Sequence, residues 1–171
     1  MAMRYVHADQ ADAARLAAQL RGRLIGPPSD GSAAAQPATV KQVVWVDAGD
    51  EVLVHLDSIK VRLLDRAIVV SIDLEADQTG RAPLIVTFSL GGARDQAGLV
   101  ATTDEIPHGN PLLAARWGRV VQSALWAALM GLASDHAAER GQEPQAIQVK
   151  PGTIQFKAQI TKVVSRPRAK R

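Results

Sequence analysis

Between residues 52 and 90 the chain alternates aliphatic with other side chains four times over, and few folds besides an antiparallel meander satisfy that pattern. Val52, Val54 and Leu56 alternate; so do Ile59, Val61 and Leu63. So do Ile68, Val70, Ile72 and Leu74, and then Leu84, Val86, Phe88 and Leu90. A period of two, rich in β-branched residues, puts each row on one face of a strand. The joints are short and polar: Ala48-Gly49-Asp50, Asp57-Ser58, Asp65-Arg66 and the longer 76–81. A parallel return needs a crossover of about a dozen residues, so joints this short force antiparallel neighbours. A preceding strand, 42–47, carries Val43 and Trp45 on one face and Val44 and Val46 on the other, so both its faces are expected to be covered. Residues 98–103 are read as a further strand after the Gly91-Gly92 break.

A sheet of this kind needs a layer to bury its apolar face, and Asn110 to Arg140 supplies one as a single long helix. Asn110 suits the N-cap, Pro111 the first helical position and Gly141 the stop. Leu113, Trp117, Val120, Val121, Ala124, Ala128 and Leu132 recur at helical spacing. Arg116, Arg119, Gln122 and Ser123 fall away from that stripe. Further along, Trp126, Leu129 and Met130 are apolar on the side that is polar one turn earlier. That half of the helix is therefore expected to touch something besides the sheet, either the N-terminal helix or another subunit.

The flanks are of a different composition. Residues 8–24 read as a helix with a narrow, alanine-rich stripe at Ala13, Leu16, Ala17, Leu20 and Leu24, which needs a docking partner. Residues 26–39 hold three prolines with Gly, Ser and Ala and read as a linker. After the long helix, residues 146–158 form a hairpin around Lys150-Pro151-Gly152-Thr153, with Pro and Gly placed for a type II turn. Its strands are expected to extend the sheet or pair with a second chain. The fold class is thus α+β: an antiparallel meander of about five to seven strands on one long helix. The division is an N-terminal helix (1–25), a linker (26–39), one α+β domain (40–161) and a basic tail (162–171).

At 171 residues, 47% of them apolar, the chain is long enough for one domain with a real core. It has no cysteine, which excludes disulfides and thiol chemistry. The N-terminus lacks a signal-peptide core, and the longest later apolar run, ALWAALM, is far below the roughly 20 residues of a membrane span. A cytoplasmic location with no membrane contact is the expectation. The net charge of +3 is local: Lys162, Arg166, Arg168, Lys170 and Arg171 lie in the last ten residues, and without them 15 bases face 17 acids. Nucleic acid or another anionic surface could then be met through that tail alone, and no aromatic residue within it is available to stack bases.

Sites for chemistry are sparse. The phosphate-loop, dinucleotide, zinc-protease and serine-hydrolase motifs are absent. The histidines are His7, His55, His108 and His136. His136 shares a helix end with Asp135 and Glu139, which reads as a solvated terminus. His108 follows Asp104, Glu105 and Pro107 in a loop before the long helix. Asp73, Glu75 and Asp77 alternate like calcium ligands but lack the glycine and glutamate such a loop requires. No catalytic residue, metal or cofactor is expected. On the second sheet face His55, Lys60, Arg62, Ser71, Asp73, Thr87 and Ser89 mix with Leu53, Leu64, Val69 and Ile85, which is more apolar than a freely solvated face requires.

The first functional expectation is a non-enzymatic assembly or interaction subunit, a homo-oligomer or a partner of another protein. Its contact residues would be Trp126, Leu129 and Met130 on the helix and Leu53, Val69 and Ile85 on the sheet. The second is a small-molecule binding protein or enzyme with a pocket between sheet and helix. A meander around a long helix resembles the helix-grip architecture, from which the two strands after the helix depart, so no function is carried over. The third is nucleic-acid binding through the tail.

Overall fold

A computed structural model describes residues 7–24, 40–91, 97–102 and 107–159. It is α+β, with two antiparallel sheets and two helices. The elements run β1 (His7–Ala11), α1 (Ala13–Leu24), β2 (Gln42–Asp47), β3 (Asp50–Leu64), β4 (Ala67–Ala76) and β5 (Gly80–Leu90). There follow β6 (Ala101–Thr102), β7 (His108–Gly109), α2 (Pro111–Ala138), β8 (Glu143–Lys150) and β9 (Thr153–Gln159). The larger sheet is the meander β2-β3-β4-β5-β6, with β7 also paired to β5; the smaller is β1-β9-β8.

The inner face of the meander is the expected aliphatic row. Val52, Val54, Leu56, Ile59, Leu63, Ile68, Val70, Ile72, Leu74, Leu84, Val86, Phe88 and Leu90 are all buried. They pack with Leu113, Trp117, Val121, Leu125, Leu129 and Leu132 of α2. Each such side chain taken from water contributes about 1.5–3 kcal/mol. Asn110 caps α2 as its sequence implies: its side-chain oxygen accepts from the backbone N–H of Leu112 at 3.0 Å and of Leu113 at 3.4 Å. At the other end Gly141 takes φ +62° and the Gln142 N–H returns to the Ala137 carbonyl at 2.9 Å.

Four expectations are corrected. Asp57-Ser58 is not a joint between strands: β3 runs through it as one strand with a bulge. In the register with β4, residues 56–59 stand against Ile72 alone. The odd shift swaps which parity points inward, so Leu56 and Ile59 are both buried. Ser58 holds the bulge, donating from its hydroxyl to the His55 carbonyl at 2.6 Å and accepting from the Asp73 N–H at 2.7 Å.

The segment before α1 is strand, not helix. Asp12 starts α1, its carboxylate accepting from the Arg15 N–H at 2.8 Å, and His7–Ala11 pairs with β9 nearly 150 residues on, a partner no local periodicity reveals. The C-terminal hairpin turns at Pro151-Gly152, with Gly152 at φ +78°, but it neither extends the meander nor needs a second chain. It completes the smaller sheet, which packs on α2 through β8 and β9. Gln122, placed off the apolar stripe by its spacing, is nonetheless buried.

The cover on α2 away from the meander is therefore the chain's own. α1 packs on β3 and α2, with Arg23 paired to Asp135, and Phe156 of β9 stacks on His136 at 5.3 Å. The linker 26–39 and the tail 162–171 lie outside the described residues.

Candidate interaction surface

The outer face of the larger sheet is the one broad apolar-bearing surface that no described helix covers. Antiparallel register places Val44 beside Leu53, Arg62 beside Val69, and Ser71 beside Ile85. Exposure is 58% at Val44, 65% at Val46 and 38% at Ile85. Two patches result. Val44, Val46 and Leu53 form a corner at the β2 end. Val69 and Ile85 are diagonal neighbours farther across, a spacing at which long side chains still touch. Leu53, Val69 and Ile85, expected as contact residues, all lie on this outer face, but the first of them belongs to a different patch from the other two.

Trp126, Leu129 and Met130 lie on the opposite side of the sheet. Leu129 is wholly enclosed in the core, which leaves it no surface for another chain. Trp126 is half-buried, tilted at 37° against Phe88 with ring centroids 5.5 Å apart, and Met130 is partly buried against the same core. The helix set and the sheet set do not form one surface. The tail residues Lys162, Arg166, Arg168, Lys170 and Arg171 lie outside the described residues.

Two polar clusters, neither legible from spacing, hold β2 in place. His55 points from β3 toward the outer face yet is buried. Its Nδ1 lies 3.2 Å from the Gln42 side-chain nitrogen and its Nε2 lies 2.8 Å from a Glu75 carboxylate oxygen. With the amide donating to Nδ1, Nε2 carries the proton and donates to Glu75. Both ring nitrogens are thus occupied, and the ring bridges β2, β3 and β4 rather than acting as a free base.

At the hairpin end, Arg116 of α2 donates to the Asp50 carboxylate at 2.6 Å, to the Asp47 carboxylate at 2.8 Å and to the Asp47 carbonyl. Its guanidinium lies 4.6 Å from the Trp117 ring centroid. The hydrogen bond to Asp50 first, and that to Asp47 second, raise its pKa above the ordinary arginine value. The side chain is therefore cationic throughout the working pH range. It clamps the β2–β3 turn to the first turns of α2.

Of the remaining candidates, His136, Asp73 and Glu75 stand in structural pairs, and His108 lies on β7 opposite Ile85. His136 bonds to Asp9 of β1 at 2.8 Å. Asp73 pairs with Arg81 at 2.8 Å, while Glu75 turns to His55. Among the described residues, no group of three or more His, Asp or Glu could hold a metal ion, and no helix is long and apolar enough to cross a membrane.

Buried side chains of the meander and of α2 pack against one another. An open groove of about 770 Å³ lies at the sheet's end instead, between the turns at Gly49-Asp50 and Asp77–Thr79 and the α2 residues Leu112, Leu113 and Trp117. Set against protein-family models, curated proteins and solved structures, the chain matches none.

Proposed function

We propose that this chain is a non-enzymatic assembly subunit that associates with itself through the outer side of its larger sheet. One observation carries the proposal: Val44 and Val46 stand open to solvent beside Leu53, on strands held rigid by the Gln42–His55–Glu75 bridge and the Arg116 clamp. Contiguous apolar surface rimmed by polar groups is what protein contacts use, and a surface fixed before contact loses little freedom on binding. Light scattering on the full chain across a concentration series tests it. A mass above that of one chain is expected at high micromolar concentration, and a clean monomer there removes the proposal.

A second reading takes the groove at the end of the sheet as a small-molecule site, supported by a volume within the usual range of such sites. Methyl NMR of Leu112 and Leu113 against a library of small organic ions tests it, and unchanged shifts throughout would remove it.

A further inference from the structure

Among the described residues, strand β2 occupies an edge of the larger sheet, yet it lacks the usual protections of an edge. An edge exposes a row of unpaired backbone N–H and C=O groups, and proteins blunt it with proline, charge or a bulge. Between Gln42 and Val46 there is no proline and no charge, and the register with β3 has no shift. Both faces are apolar, Val43 and Trp45 inward and Val44 and Val46 outward. Such a strand carries none of the devices that keep one sheet edge from pairing with another.

The direction of the free backbone groups follows from the turn. Ala48 and Gly49 both have positive φ, at 49° and 84°, the signature of a two-residue type I′ hairpin. Asp47 and Asp50 close it as a hydrogen-bonded pair, and bonded pairs alternate along the ladder. Trp45 and Val43 therefore bond to β3. The Lys41 carbonyl keeps the same phase, accepting from the Asp57 N–H at 3.3 Å. The N–H and C=O groups of Gln42, Val44 and Val46 point to the open side.

From this we infer that two copies of the chain join edge to edge, β2 against β2, antiparallel, with Val44 on the two-fold axis. The inference rests on the self-association proposed above and puts the contact on the β2 edge of the sheet rather than on its outer face. A two-fold axis normal to a sheet keeps each face on its own side, so only residues of the same face can stand opposite one another. With Val44 opposite Val44, Gln42 faces Val46 and the outward backbone groups form about six hydrogen bonds.

On the inner face Val43 of each copy meets Trp45 of the other. Lys41 stands opposite Asp47, so a positive end meets a negative end at both limits of the strand. Sliding the register by two in either direction sets Lys41 against Trp45 or Gly49 and shortens the ladder. The apolar corners Val44, Val46 and Leu53 of the two copies become one continuous patch. Seven residues on each side, 41–47, make a small interface, so the expected dissociation constant is on the order of micromolar.

The chain has no cysteine, so one introduced thiol reports only on its own position. Across a hydrogen-bonded antiparallel pair the Cα atoms are about 5.5 Å apart, within the reach of a disulfide. Oxidation of full-length Val44→Cys at concentrations where light scattering shows a dimer should give a covalent dimer. Ile85→Cys, three strands away on the same face, should stay unlinked. Val44→Lys places two ammonium groups face to face on the axis and should raise the dissociation constant at least about tenfold, with the monomer's melting temperature unchanged.

Linking through Ile85→Cys but not Val44→Cys overturns the edge pairing and leaves association through the face standing. A dimer unaffected by Val44→Lys overturns the edge pairing as well. A chain that is monomeric at every concentration overturns both proposals.

Discussion

Two edge strands of this molecule face opposite fates. β8 ends the smaller sheet, and its outer side is closed by loops of the larger one. The Val149 carbonyl accepts from the Arg66 N–H at 3.0 Å, and the Ile147 N–H donates to the Ala97 carbonyl at 2.7 Å. Just beyond the strand, the Gly152 N–H reaches the Leu63 carbonyl at 3.1 Å. β2 ends the larger sheet, and no described residue returns along its outer side. Their side chains differ accordingly. β8 exposes Gln148 and Lys150 and buries Ile147 and Val149, whereas β2 is apolar on both faces. Loops close an edge where two sheets converge; where none comes back, composition shows what the edge is suited to meet.

The largest effect that sharpens this contrast belongs to Gly98 on the closed side. It has φ +75°, and a Cβ there would drive into the Ile147 carbonyl, which is backbone and cannot swing away. Gly98→Ala should cost about 2–4 kcal/mol in thermal or urea unfolding; an unchanged midpoint would show that the closure is dispensable. Val149→Thr should cost roughly 1–3 kcal/mol, because its hydroxyl would be buried.

Next come two changes, one at the bulge of β3 and one at the turn that joins it to β2. Ser58→Ala strips the Asp73 N–H of its acceptor at the bulge, for about 1–2 kcal/mol, with loss of protection of that amide in hydrogen exchange. Gly49→Ala meets nothing within 4 Å, so its cost is purely that of a left-handed alanine, about 1 kcal/mol. A much larger loss at Gly49 would mean that the turn is crowded, contrary to the geometry.

Much of this contrast was half visible in the chain. Strand existence, the inner row and the extent of α2 follow from local periodicity, because burial on one face repeats every two residues or every three to four. The status of β2 does not. Its two apolar faces correctly mark an unusual strand, but whether it lies inside or at an edge depends on strand order, which is non-local. β1 escaped for the same reason, since its partner β9 is far along the chain. Asp57-Ser58 has the composition of a turn, and only the shared register with β4 makes it a bulge. That shift also sets His55 against Asp73 and so within reach of Glu75, while Gln42 meets His55 through the regular β2–β3 register; the full bridge could not be foreseen without it. The role of Arg116 is not visible beyond its place off the apolar stripe, because its partners, Asp47 and Asp50, are 69 and 66 residues away.

The smallest expected effect on stability is also the sharpest comparison of the two edges. Val44→Thr with Val46→Thr makes on β2 the same kind of change as Val149→Thr makes beside β9. Threonine keeps the β-branched shape that suits a strand, and both β2 side chains already meet water, so the cost should stay within about 0.5 kcal/mol. What should change is self-association: the two-fold junction loses its Val44 contact and the corner patch becomes polar. Equal costs at Val149 and at the β2 pair would mean that the β2 valines are sheltered as deeply as the closed edge, and the distinction between the two strands would fail. Unequal costs with undiminished association would leave the open edge real but place the contact elsewhere on the sheet.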